Sequence, residues 1–230
     1  MPNPRDNAVY EETPKTAGAI PFPTIRRMPA YHRYLKTVQS DGQPMVSCTR
    51  IAESLELESI QVRKDLAMTG TVGRPRIGYP VDALIAAIEA MLGWDQWSDA
   101  FLVGAGNLGS AILGYRSFKA LGLNIVAAFD IDPKRVGKSI HDVPVLAMTK
   151  LANLARRMKI RLGVITVPGE AAESAARALV RGGIEAIWNF SPLAMTSLHV
   201  GKDVIIENVS LSASLAVLIR RLAEAKTARS

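Results

Sequence analysis

The stretch Ala100-Phe101-Leu102-Val103-Gly104-Ala105-Gly106-Asn107-Leu108-Gly109 decides the architecture of this 230-residue chain. An apolar run of strand length enters Gly-x-Gly-x-x-Gly without a break, and an amphipathic helix follows. In such a turn the first glycine makes the tight bend, the second lets backbone approach a pyrophosphate, and the third lets the helix pack closely on the sheet. The helix then offers free N–H groups and the positive end of its dipole to phosphate. Asp130 closes the next apolar run, Ile125-Val126-Ala127-Ala128-Phe129, where a carboxylate accepts from the hydroxyls of an adenosine ribose. The pair reads as a dinucleotide site, against the alternative of a glycine turn that only packs. The carboxylate repels a 2′-phosphate and so favours NAD(H) over its phosphorylated form, with Lys134 and Arg135 pulling the other way.

Around this motif short apolar runs alternate with helical stretches: Ala100–Val103, Asn124–Phe129, Arg161–Val167, Ile184–Trp188 and Val204–Val209. That is the pattern of βαβ units, so the predicted fold class is α/β, with a Rossmann-like doubly wound parallel sheet over residues 99–210. Open α/β sheets bind ligands at the carboxyl ends of strands, which singles out Thr166-Val167-Pro168 and Asn189-Phe190-Ser191-Pro192. Ordinary turns, in which Pro starts a helix and Ser caps it, explain these loops equally well. The chain closes on a helix, Ser212–Ala225 within residues 211–230, whose Leu215, Leu218, Ile219 and Leu222 form one apolar stripe.

Upstream, residues 1–21 carry Pro2, Pro4, Pro14 and Pro21 among polar residues and are predicted to be a flexible tail, because they have too little apolar surface to offset the entropy of ordering. A helix is predicted over Thr24–Gln39, with Pro29 working against its first half. Ser47 or Thr49 caps a short helix ending at Leu55. A turn leads to a second helix, Ser59–Met68, with Ile60, Leu66 and Ala67 for burial and Gln61, Arg63 and Lys64 outside. Gly70–Tyr79 reads as a β-wing, Val81–Leu92 as a further helix, and residues 93–98 as an interdomain linker. Residues 22–92 are thus predicted to be a winged-helix domain. Arg63 and Lys64, with Arg74 and Arg76 on the wing, can contact phosphates on both sides of a groove; Gln61 and Arg63 can reach base edges, and Ser47 joins them as a DNA-contact candidate. The competing reading is a solvated charged helix face.

The net charge of +7 suits a polyanion partner, but residues 1–92 hold 11 Lys/Arg against 10 Asp/Glu, so a DNA site must be a local cluster. The single cysteine, Cys48, forms no internal disulfide and fits a reducing compartment. No apolar run approaches the ~20 residues of a membrane span, and no secretory leader pattern is present, so a soluble cytoplasmic protein is expected. His32, His141 and His199 have no metal-ligand spacing, and no nucleophile elbow, paired-cysteine metal motif or Walker loop appears. No catalytic or metal-binding residue is predicted.

From about Ile25 to Leu222 the sequence resembles the Rex family of redox-sensing transcriptional repressors. Gln61-Val62-Arg63-Lys64-Asp65-Leu66, Gly73 and Gly78-Tyr79 resemble its recognition helix and wing. Gly104–Gly109, Tyr115, Phe129-Asp130-Ile131-Asp132-Pro133, Thr166-Val167-Pro168, Asn189-Phe190-Ser191-Pro192 and Glu207-Asn208-Val209 resemble its cofactor domain. The resemblance implies a homodimer whose C-terminal helices exchange between subunits, bound to a palindromic double-stranded operator when NADH is low and released when it is high. It also implies that Asn189, Phe190 and Tyr115 lie near the nicotinamide. Two departures bear on these expectations. Met68-Thr69-Gly70 and Pro75-Arg76 replace the family's Tyr-Phe-Gly and the Arg-Gly of its wing, and Ser210-Leu211 stand where the family has Asp followed by an apolar or aromatic residue. The first bears on operator sequence and wing conformation, the second on redox coupling. The alternatives are a regulator with weak or lost redox sensing, a small NAD-dependent oxidoreductase, and the CoA-binding half of an acyl-CoA ligase. The oxidoreductase lacks room for a substrate pocket and an evident proton donor, and the ligase lacks a phospho-accepting His in a matching loop.

Overall fold

The structure, a computed structural model, describes residues 20–196 and 203–227. The expected tail up to residue 19, and His199, lie outside the described residues. The chain divides between Asp95 and Gln96 into two compact units.

In the first unit, α1 (Phe22–Ser40) buries Thr24, Met28, Tyr31, Leu35 and Val38 along one face and runs through Pro29. Strand β1 (Met45–Val46) leads to α2 (Cys48–Leu55), and α3 (Ser59–Ala67) follows a turn in which Glu56 is left-handed, φ 54°. Of the two cap candidates it is Ser47 whose hydroxyl accepts the Arg50 N–H, at 3.1 Å. Strand β2 (Tyr79–Pro80) pairs antiparallel with β1, and α4 (Val81–Leu92) ends at the left-handed Gly93. Met28, Leu35, Ile51, Leu66, Leu84 and Ile88 fill the core between the helices.

The burial expected for α3 is corrected. Val62, Asp65 and Leu66 are buried, whereas Ile60 is 67% exposed and Ala67 is also outside. A carboxylate sets the phase of this helix. Asp65, 1% exposed, accepts from Thr24 Oγ1 (2.9 Å), Arg27 Nε (2.6 Å) and Nη2 (2.9 Å), Tyr31 Oη (2.7 Å) and Gln61 Nε2 (3.0 Å). Burial by itself would raise the Asp65 carboxyl, but the hydrogen bonds from Arg27, Tyr31 and Thr24 outweigh it and hold it below the ordinary carboxylate range. The same cluster raises the Tyr31 hydroxyl, first through burial and then through its bond to Asp65.

In the second unit seven strands lie in the order β5-β6-β4-β3-β7-β8-β9. They are β3 (Ser98–Val103), β4 (Leu123–Asp130), β5 (Ser139–Ile140), β6 (Val143–Ala147), β7 (Leu162–Ile165), β8 (Ala186–Asn189) and β9 (Ile205–Asn208). All neighbours are parallel except β5 and β6. Without the β5 edge this is the 3-2-1-4-5-6 order of a doubly wound dinucleotide fold. Successive residues point to opposite faces. Phe101, Val103 and Phe129 meet Leu151 and Ala155 of α7 (Leu151–Met158) and Leu179 of α8 (Gly169–Arg181), while Leu102, Ala128 and Val164 meet Ile112 of α5 (Asn107–Gly114). A short α6 (Ser117–Ala120) precedes β4.

β5 and β6 escaped the sequence reading, as their two-residue turn, His141-Asp142, is left-handed at both positions without a glycine to announce it, and β6 carries Pro144. β7 is shorter than the expected Arg161–Val167, because Thr166-Val167-Pro168 turns away as a loop. The last described helix, α9 (Leu211–Thr227), leaves Leu215, Leu218, Ile219 and Leu222 more than half exposed. No described helix is long and apolar enough to cross a membrane.

Removing one partner from a buried ion pair costs about 3–5 kcal/mol. Because Arg27 is 27% exposed, Asp65→Ala should destabilise the first unit by the lower end of that range, about 3 kcal/mol. Asp65 has a lowered pKa, so its contribution is present above the ordinary carboxyl value and is lost as pH falls through the folded one. Wild type should therefore lose its advantage over Asp65→Asn only below about pH 4. Amide hydrogen exchange in α1 and α3 from neutral to acid pH reads both effects.

Candidate functional site

The carboxyl ends of β3, β4, β7 and β8 bring Gly104, Asp130, Thr166 and Asn189 to one edge of the sheet, where the connection order reverses between β3 and β7. The three glycines of the loop are needed for three different reasons. Gly104 is left-handed, φ 98°, and a Cβ there would stand 2.7 Å from Val167 Cγ1. A Cβ on Gly109 would stand 2.0 Å from the Gly104 carbonyl oxygen, so only glycine lets α5 approach the strand end. A Cβ on Gly106 would meet nothing nearer than Arg135 Nη1 at 3.9 Å. That flank is open, and it leaves room for an anion beside the backbone. The first bond of α5 is Ser110 N–H to Gly106 O at 2.8 Å, so the N–H groups of Asn107, Leu108 and Gly109 lie before the intrahelical ladder.

Asp130, 7% exposed, holds this loop. Its carboxylate accepts the Ala105 N–H at 2.8 Å and the Asp132 N–H at 2.9 Å, and lies 3.3 Å from Arg135 Nη1. Burial would raise its pKa, but those backbone bonds and Arg135 more than offset it and leave it lowered. Thr166 donates its hydroxyl to Gly104 O (2.6 Å) and Val103 O (3.1 Å), tying the loop after β7 to the loop after β3. Leu108, Ile131 and Tyr115 are exposed, and Pro168 opens α8.

Asn189 lies at this edge with its amide already engaged. Its Nδ2 donates to Leu193 O and to Asn208 Oδ1, both at 2.8 Å, and its Oδ1 accepts from the N–H and hydroxyl of the buried Ser191. Asn208 clamps the backbone of Met195 from both sides. Its part in this clamp was missed in the sequence, because it depends on the register that sets it opposite Asn189 in the neighbouring strand. Tyr115, Phe118, Trp188 and Phe190 follow one another in edge contacts, with centroids 4.7, 5.3 and 4.5 Å apart.

In the first unit α2 and α3 form a helix–turn–helix, and Ser47, Arg63, Lys64, Arg74 and Arg76 are exposed. Gln61 is half-buried through its bond to Asp65. The wing closes where Arg74 and Gly78 exchange backbone bonds of 2.7 and 2.9 Å, with Arg76 left-handed at its tip, φ 62°. Gly78 is obligatory, since a Cβ would stand 2.2 Å from Val46 O. Among the described residues no His/Cys/Asp/Glu cluster could hold a metal ion.

A helix–turn–helix with a wing, followed in the same chain by a glycine-loop Rossmann unit, defines a ligand-responsive DNA-binding regulator. Residues 19–67 match the family model described as "Putative DNA-binding protein N-terminus", and residues 95–193 match that of the CoA binding domain. The redox-sensing transcriptional repressor Rex of Treponema denticola is 47% identical over 85% of this chain and 92% of its own length. The chain belongs to the Rex family of redox-sensing transcriptional repressors. Rex of Bacteroides fragilis is 38% identical over 90% of the chain and 93% of its own. Among solved structures, RSP in complex with β-NAD+ and operator DNA is 37% identical and superposes with a TM-score of 0.84, covering 92% of this chain and 96% of its own. RSP in complex with β-NADH gives 36%, 0.81, 92% and 98%.

The glycines yield a paired prediction. Gly109→Ala should lower stability by about 2 kcal/mol through forced overpacking against backbone. Gly106→Ala should leave the melting temperature unchanged and abolish most dinucleotide affinity, because its methyl fills the open flank alone. Calorimetric melting and titration of the two variants separate these outcomes.

Proposed function

We propose that this protein is a homodimeric repressor that binds operator DNA through residues 22–92 and releases it in response to NADH held at Gly104–Gly109. The observation that carries the reading is the coexistence of exposed Arg63, Lys64, Arg74 and Arg76 around a helix–turn–helix with a glycine loop at the switch point of a Rossmann sheet. RSP, a Rex-family repressor, binds operator DNA with β-NAD+ and is also described with β-NADH, which supports the same ligands here. Asp130 and Ile131 would border the adenosine end, and Thr166, Val167, Pro168, Tyr115, Asn189, Phe190 and Ser191 the nicotinamide half. Asn189 acts by holding its loop. The dinucleotide is an effector, since Rex proteins are regulators, and the protein works in the cytoplasm. The apolar stripe of α9 supports dimer formation: each leucine buried contributes about 1.5–3 kcal/mol, and a two-fold dimer matches a palindromic operator.

Each neutralised phosphate releases about 0.9 counterion. Replacing Arg63, Lys64, Arg74 and Arg76 together by Ala should therefore weaken operator binding and flatten its salt dependence in an electrophoretic or anisotropy titration. Unchanged affinity and slope would place the DNA elsewhere.

Ser210 bears on the strength of the response. Its hydroxyl accepts the Ala213 N–H at 3.2 Å and caps α9, a task that Asp performs equally well. NAD+ and NADH differ mainly by one positive charge on the nicotinamide. A carboxylate 4 Å from a cation is worth about 4 kcal/mol at an effective dielectric near 20, against about 1 for a neutral hydrogen bond. Operator affinity should respond modestly to the NADH/NAD+ ratio, and Ser210→Asp should steepen the response. A wild type released sharply by NADH, with no gain in the variant, contradicts this.

A further inference from the structure

We propose that Arg135 is a diphosphate-binding residue of the dinucleotide site: its guanidinium bounds the open flank of the loop at Gly106 and offsets the carboxylates of Asp130 and Asp132 there. The proposal rests on the reading of Gly104–Gly109 as a dinucleotide site and extends it to a residue outside the glycine motif.

After β4 the chain makes a turn in which the Asp132 N–H bonds to Asp130 Oδ1 and the Arg135 N–H to Asp132 O, at 2.9 and 3.0 Å. This turn brings the Arg135 side chain back over the loop. Its Nη1 lies 3.3 Å from Asp130 Oδ2, its Nε 3.7 Å from Asp132 Oδ2, and the side chain is 41% exposed. The same Nη1 is the nearest atom to the position of a Gly106 Cβ, at 3.9 Å. The flank through which backbone N–H groups can meet a phosphate therefore ends at a guanidinium.

Both contacts to carboxylate are longer than the ~2.7–2.9 Å of a tight charge-assisted bond. A guanidinium carries five N–H donors in a fork that fits phosphate oxygens, so donors remain for a further anion. The electrostatics call for one. Asp130 and Asp132 set two negative charges beside the place where a diphosphate must come, and the helix terminus supplies only about half a positive charge. Arg135 tips that balance toward the anion.

The test titrates NADH and ADP into the full-length protein at several salt concentrations, for wild type, Arg135→Gln and Arg135→Lys, beside melting of each without ligand. Arg135→Gln should lose about tenfold or more in affinity for both ligands, the size of one charge-assisted hydrogen bond. Its binding should also depend less on salt, its melting temperature should be unchanged, and Arg135→Lys should recover most of the loss. The proposal is overturned if Arg135→Gln binds both ligands like wild type, if it loses NADH but keeps ADP, or if it melts early and Lys does not rescue it. A wild type that takes up neither ligand overturns the dinucleotide reading itself.

Discussion

The approach of Gly109 to the Gly104 carbonyl oxygen sets the geometry on which the second unit depends. With 2.0 Å between that oxygen and any Cβ, the position admits glycine alone. The closeness seats α5 on the end of β3, turns its first N–H groups toward the sheet edge, and leaves Gly106 as the one loop glycine whose missing side chain is open space. Asp130 and Thr166 fix the arrangement from the strands on either side, one by accepting the Ala105 N–H and the other by donating to Gly104 O. Neither side chain needs a ligand to justify its burial or bonding. The loop is preorganised, and ligand binding avoids the cost of ordering it.

The first unit is arranged around a comparable device. A buried carboxylate, Asp65, collects donors from α1 and from its own helix, so α3 has one angular setting. That setting buries Val62 and Leu66 and leaves Arg63 and Lys64 outside. The polar network fixes which face of α3 is presented to solvent; the apolar contacts supply the bulk of the stability.

The glycine loop, five of the six parallel strands and the main helices were legible because each rests on local periodicity or on a backbone conformation that only glycine adopts. Apart from the β5–β6 hairpin, what was not legible depends on partners far away in sequence. Ile60 reads as a core residue, and Asp65 has no assigned face, until Thr24, Arg27 and Tyr31 are placed on one face of α1. Their spacing of three and four residues was the available signal. The resemblance puts Asn189 near the nicotinamide, yet its amide is engaged by Leu193, Ser191 and Asn208, and the bond to Asn208 is one that only the β8–β9 register reveals. Asp130 was read as a ribose acceptor, and its bond to the Ala105 N–H depends on how closely β3 and β4 end together.

In the proposed function dinucleotide and operator bind different units of one chain, and a regulator exists only if the two events share free energy. Such coupling is reciprocal: whatever factor NADH takes from operator affinity, operator must take from NADH affinity. The most direct test is to titrate NADH into the full-length protein alone and with saturating operator duplex, at fixed salt. The account predicts weaker NADH binding in the presence of the duplex, by the same factor that NADH weakens operator binding. Equal NADH affinity with and without DNA would contradict it.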